Sequence, residues 1–107
     1  MNIILASKSG VRKKILEDNK INFEVVHSHV DEDMAKESFI NEGADPLVIS
    51  KNLAELKATK VSKSYADKLV LGADSVISLN NELINKPRSR QDALEILTKL
   101  SGKKHYL

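Results

Sequence analysis

The sequence predicts an α/β fold, a three-layer-like sandwich around a mixed, largely parallel sheet. Three observations predict it. Short apolar runs suited to strands alternate along the chain with stretches of helical spacing. One run, Leu69 to Ile77, is apolar enough for a strand buried on both faces, as central strands of such sheets are. Helix-start signals, above all Asp45-Pro46, stand between the runs.

Asn2 to Ala6 reads as a short buried strand. Ser9 then reads as the N-cap of a helix to about Asn19, with Val11, Ile15 and Leu16 on its inner face. Ile21 to Val26 reads as a second strand. His27 to Gly43 is mixed and acidic and reads as a loop with a helical turn. Asp45-Pro46 opens a helix to about Tyr65, with Leu53, Ala54, Ala58 and Val61 facing inward. Lys68 to Leu79 reads as the long apolar strand. It turns at Asn80-Asn81 into a short return strand around Leu83-Ile84. Ser89, with Asp92 as partner in a capping box, starts a last helix to Leu100. Its apolar residues Ala93, Ile96, Leu97 and Leu100 fall at helical spacing. Ser101-Gly102 stops it, and residues 103–107 read as the opening of a further strand. A chain that ends on an opening strand predicts a fragment of a longer domain.

The 107 residues suffice for one domain with a modest core. Seventeen basic and fifteen acidic residues are too evenly balanced to point to nucleic acid or a membrane surface. The absence of cysteine excludes disulfides and thiolate metal sites. No run approaches the roughly 20 apolar residues of a membrane helix, and the N-terminus lacks the pattern of a signal peptide. These features predict a cytoplasmic protein.

Five constellations could carry chemistry. Asp74 ends an apolar run, where a carboxylate is costly unless paired, hydrogen-bonded or holding a metal. It is either a satisfied structural acid or part of a reactive site, since ligands of open α/β sheets bind at strand ends. The small residues Gly72 and Ala73 before it leave room for a ligand. The turn Ala6-Ser7-Lys8-Ser9-Gly10-Val11-Arg12 enters a helix whose free N–H groups attract anions, and Arg12 could grip a phosphate in bidentate fashion. It lacks the spacing of a P-loop or of GxGxxG. The plain reading is a capped surface helix. Lys57 borders the inward stripe of its helix; it either snorkels outward or reaches into a phosphate-bearing cleft. Asn85-Lys86-Pro87-Arg88 follows the hairpin, which would fold Lys86 back toward Asp74; otherwise it is a surface loop. Asp31-Glu32-Asp33 is a solvated acidic loop, or Glu32 is a second carboxylate for a metal. His27, His29 and His105 make no metal-binding spacing.

Taken in order, Leu5-Ala6-Ser7-Lys8-Ser9-Gly10-Val11-Arg12, Val30-Asp31-Glu32, Lys57-Ala58, Gly72-Ala73-Asp74-Ser75-Val76, Asn85-Lys86-Pro87 and Leu100-Ser101-Gly102-Lys103-Lys104-His105 resemble the Maf family of nucleoside triphosphate pyrophosphatases, also labelled septum formation inhibitors. The resemblance implies a Maf- or inosine-triphosphatase-like fold, with residues 1–107 as the N-terminal part of a single domain cut before its second lobe. It implies metal-dependent hydrolysis of a nucleoside triphosphate to the monophosphate and pyrophosphate, either as house-cleaning against non-canonical or modified nucleotides or, depending on subfamily, on dTTP, UTP or 7-methyl-GTP. Asp74 would accept the proton. Ser9, Arg12, Lys57 and Lys86 would hold phosphates. Glu32 and Asp74 would hold Mg²⁺ or Mn²⁺. The partner implied is a nucleoside triphosphate, with no membrane or nucleic acid, and a homodimer is allowed. Val11 stands where the family usually has arginine, which is more similar to the 7-methyl-GTP subfamily; Ser75 replaces the usual threonine. A second reading is a non-catalytic nucleotide-binding fragment, or a regulatory protein of cell division.

Overall fold

The computed structural model describes residues 3–107, so the expectation for Asn2 lies outside the described residues. Two three-stranded sheets organise the chain. The first is parallel, in the order β2-β1-β3, with β1 at Ile3–Leu5, β2 at Phe23–Val25 and β3 at Leu69–Leu71. The second is antiparallel, in the order β5-β4-β6, with β4 at Ile77–Leu79, β5 at Glu82–Ile84 and β6 at His105–Tyr106. The α/β class holds. The parallel and antiparallel pairings expected of one mixed sheet are divided between two.

Among the described residues four helices complete the fold: α1 at Gly10–Asp18, α2 at Glu32–Asn41, α3 at Pro46–Ser62 and α4 at Arg90–Leu100. Each starts where a side chain accepts from a free N–H of the first turn. Ser9 caps α1 through Arg12 N–H, Asp31 caps α2 through Met34 N–H, Asp45 caps α3 through Val48 N–H and Ser89 caps α4 through Asp92 N–H. Asp92 returns its carboxylate to the N–H of Arg88, one residue upstream of the expected capping-box partner. The loop expected over 27–43 contains a full helix. Its cap, Asp31, and the acidic residues Glu32 and Asp33 in its first turn favour that start.

Helix α3 is the hub, packed against α2, β3 and β4. Its buried row Ile49, Leu53, Lys57 and Val61 repeats every four residues. Ile4 and Ala6 meet Val61, with Val26, Tyr65 and Val70 closing over them. Burying side chains such as Ile4, Ile49 and Leu53 contributes roughly 1.5–3 kcal/mol each.

Two expectations are corrected. The strand expected over 68–79 is two strands in different sheets, joined by residues 72–76. The ladder ends after Leu71 because the chain drops onto α3. A Cβ on Gly72 would collide with the carbonyl oxygen of Ala54 and lie 3.0 Å from the Cβ of Ala58, so only glycine fits unshifted. Nor is β3 buried on both faces. Among the described residues it pairs on one side only, leaving Leu69 and Leu71 56% and 43% exposed. The second correction concerns α1, whose expected inner face is open: Val11 and Ile15 are exposed and line a cavity rather than a sheet.

The hairpin forms as expected. Asn80 and Asn81 take φ of 50° and 65°, the left-handed pair that a tight two-residue turn requires and asparagine tolerates. The molecule spans 45 × 33 × 23 Å with a radius of gyration of 15.6 Å. A compact domain of this length has about 13 Å, so the chain is more extended than that. Among the described residues no helix is long and apolar enough to cross a membrane.

Candidate functional site

The cleft is a cavity of about 860 Å³ bounded by the first turns of α1, one face of α2 from Glu32 to Ile40, Lys57 of α3, the 72–76 connection and the loop after β5. All of the expected site residues line it: Ser9, Arg12, Glu32, Lys57, Asp74 and Lys86. They come from positions spread over 78 residues of sequence (86 − 9 + 1) and converge on this one cavity.

At one wall, β1 delivers a turn into α1. The buried hydroxyl of Ser7 accepts from the N–H of Ser9 at 3.1 Å and from Arg12 Nη1 at 3.2 Å. Ser9 Oγ accepts from the N–H of Arg12 at 3.3 Å. The guanidinium then reaches across the cleft, where Nη2 donates to Ser75 Oγ at 3.3 Å. Arg12 thus ties the α1 start to the connection carrying Asp74. Two neutral serine hydroxyls accept from it, and no carboxylate neutralises it among the described residues, so its charge stays available to an anion.

At the opposite wall Lys57, only 6% exposed, enters from α3. It does not snorkel. Its Nζ donates to the carbonyl oxygen of Ala73 at 3.2 Å, to Asp74 Oδ1 at 3.3 Å and to Glu32 Oε1. These carboxylates compensate the burial of the ammonium. Burial alone would push the Glu32 carboxyl up. The hydrogen bond from Lys57, with the charges of Lys57, Lys36 and Lys86, outweighs it and holds Glu32 below the ordinary value of 4.5. Lys86 is exposed on its loop.

Asp74 is less well served. Its side chain is 8% exposed, and its Oδ2 is buried without a hydrogen-bond partner. A buried acceptor left unmatched costs about 1–3 kcal/mol. That orphaned acceptor lies in a cavity also lined by five cationic side chains, Arg12, Lys36, Lys57, Lys86 and Arg88. Glu32 and Asp74 also suit a hard divalent cation, which is commonly held by one or two carboxylates while substrate phosphates fill its other positions. Among the described residues no third His, Cys, Asp or Glu joins them.

Sequence reasoning missed the role of Ser7, buried and anchoring Arg12, and of Ser75 as acceptor for Arg12. The only signal for either is a small hydroxyl residue at a strand end. Arg88, which lines the same cavity, stood in a noted motif without a role.

Residues 2–107 match the family model described as Maf-like protein. A nucleoside triphosphate pyrophosphatase of Pelagibacter ubique is 60% identical over 105 residues, covering 98% of this chain and 54% of that protein. Nucleoside triphosphate pyrophosphatase 1 of Jannaschia sp. is 40% identical, covering 98% and 53%. A dTTP/UTP pyrophosphatase of Thermosipho africanus is 42% identical, covering 98% and 50%. The chain spans about half the length of these curated relatives. On the match along its whole described length, the chain belongs to the Maf-like protein family.

Proposed function

We propose that this chain carries the catalytic half-site of a nucleoside triphosphate pyrophosphatase, which hydrolyses a nucleoside triphosphate to the monophosphate and pyrophosphate. The observation that carries the reading is the buried, unpartnered Oδ2 of Asp74 in a cavity with Arg12, Lys57, Lys86 and Arg88. The names of the relatives support it.

In this reading the triphosphate lies along the cationic wall. Ser9 and the free N–H groups at the start of α1 receive one phosphate. Arg12 and Lys86 spread positive charge over the others, favouring the charge that builds on the leaving pyrophosphate. Asp74 takes the proton from the water that cleaves the α–β anhydride, a role open to Oδ2 because nothing else claims it. Glu32 and Asp74 would hold Mg²⁺ or Mn²⁺, which when bound supplies Lewis-acid stabilisation of phosphate oxygens. The protein would work in the cytoplasm on a free nucleotide.

The test is pyrophosphate release from dTTP, UTP, 7-methyl-GTP and inosine triphosphate with Mg²⁺, comparing wild type with Asp74→Asn. Loss of a general base lowers turnover about 10²–10⁴-fold. Unchanged turnover in Asp74→Asn would remove Asp74 from the reaction. A second reading is nucleotide binding without turnover. The commitment of Lys57 to Ala73, Asp74 and Glu32, which locks the carboxylates to their counter-ion, favours it. Calorimetric binding of the same nucleotides without pyrophosphate release would establish it.

A further inference from the structure

Resting on the triphosphate reading, we infer that Lys57 is a built-in counter-ion that occupies the place of a divalent cation between Glu32 and Asp74 and is exchanged for it when a triphosphate binds. An ammonium has three N–H donors. Lys57 commits them to three acceptors: Ala73 O, Asp74 Oδ1 and Glu32 Oε1. No donor is left for a phosphate. Lys57 can therefore hold a phosphate only by leaving one of these partners, and the two carboxylates are the ones that a cation could take over.

The charge count points the same way. Two carboxylates and one ammonium leave this cluster at −1 (−2 + 1). A bare dication meets an ammonium already seated between the carboxylates, and a triphosphate finds that ammonium's donors already committed. When both arrive, the dication neutralises the carboxylates and the ammonium turns to the phosphate. Each ligand thus removes the obstacle to the other, which is reciprocal coupling. The burial of Lys57 keeps these charges in a weakly screened setting, where exchange matters most. Lys57 then does two jobs in sequence. It holds Asp74 in place before substrate arrives, and it joins the phosphate-binding wall afterwards.

The test uses Mn²⁺ alone, with no nucleotide, on wild type and Lys57→Met. Free Mn²⁺ is read by electron paramagnetic resonance and the melting temperature by circular dichroism. Removing a like charge within a few Å should tighten Mn²⁺ binding about tenfold or more in Lys57→Met. Mn²⁺ should also raise the melting temperature of that variant more than that of wild type. In Lys57→Met/Glu32→Gln the gain should disappear. If Lys57→Met is unfolded without metal, refolding on Mn²⁺ addition supports the exchange and failure to refold overturns it. Equal or weaker Mn²⁺ binding in Lys57→Met also overturns it. A positive Mn²⁺ result with no triphosphate turnover in wild type would keep the exchange and discard the pyrophosphatase reading; turnover without the Mn²⁺ difference would do the reverse.

Discussion

Gly72→Ala should loosen this protein at its hub, although the change adds a single methyl group. Gly72 is pressed onto α3 where the chain leaves β3. The new Cβ would collide with the carbonyl oxygen of Ala54, and would stand 3.0 Å from Ala58 Cβ and 3.1 Å from Ala58 N. Two of these neighbours are helix backbone, so neither can rotate away. The connection must lift off α3 instead. Overpacking of this kind costs about 1–3 kcal/mol, against about 0.4–1 kcal/mol gained from a stiffer unfolded chain. An unfolding entropy of about 2.1 cal/mol/K per residue gives about 0.22 kcal/mol/K for a chain of this length, or about 4–5 °C per kcal/mol. Thermal unfolding followed by circular dichroism should therefore show a drop of roughly 2–10 °C. Gly10→Ala is the internal control. Its Cβ would meet nothing within 4 Å, and it opens α1 without a positive φ. The same substitution there should leave the melting temperature unchanged or raise it. A Gly72→Ala protein as stable as wild type would refute the steric argument. Activity adds a second readout, because Asp74 lies two residues from Gly72 and Lys57 one residue from Ala58. Lifting the connection lengthens the 3.3 Å Lys57–Asp74 bond.

Three further outcomes follow. Glu32 sits below its ordinary pKa in the folded state, so the unfolded chain binds the extra proton first as pH falls. The stability it contributes is complete above about pH 4.5 and is lost as pH drops through the folded value; in melting curves from pH 6 to 3, Glu32→Gln should flatten that part of the profile. Arg12→Lys keeps the charge but cannot span Ser7 and Ser75 together, so KM for triphosphate should rise about tenfold with a smaller change in kcat; an unchanged KM would show that the span is idle. Asp45→Ala removes the cap that accepts from Val48 N–H at 2.9 Å and should lower stability by about 1 kcal/mol, read as a lower melting midpoint with no change in Mn²⁺ affinity.

The local signals were legible wherever one residue decides the backbone. Ser9, Asp45-Pro46, Ser89 and Asn80-Asn81 all act at the positions expected of them, because capping and tight turns depend on the chemistry of one or two side chains. The break inside Leu69–Leu79 was not legible. An apolar run says what tends to be buried, not where the ladder ends, and here the ending depends on the close approach of Gly72 to a helix residue eighteen positions earlier (72 − 54). The helix at 32–41 was hidden because its apolar residues are few and its partner α3 supplies the packing. The members of the site were named from sequence as a motif series, but their partners were not. Lys57, read as either snorkelling or reaching a phosphate, binds two carboxylates, and Arg12, read as either a phosphate grip or a surface residue, clasps Ser7 and Ser75.

The one-sided pairing of β3 has a practical side. A strand edge with free N–H and C=O groups is a template for any extended segment, and exposed apolar side chains add adhesion. Leu69 and Leu71 give this edge its adhesion, while Lys68 at its entry is tied to Glu24 at 3.7 Å rather than standing guard. With a formal net charge of only +2, long-range repulsion between molecules is slight. This edge is therefore one place where molecules can pair in concentrated solution, and a lysine placed at Leu69 or Leu71 should reduce association through it.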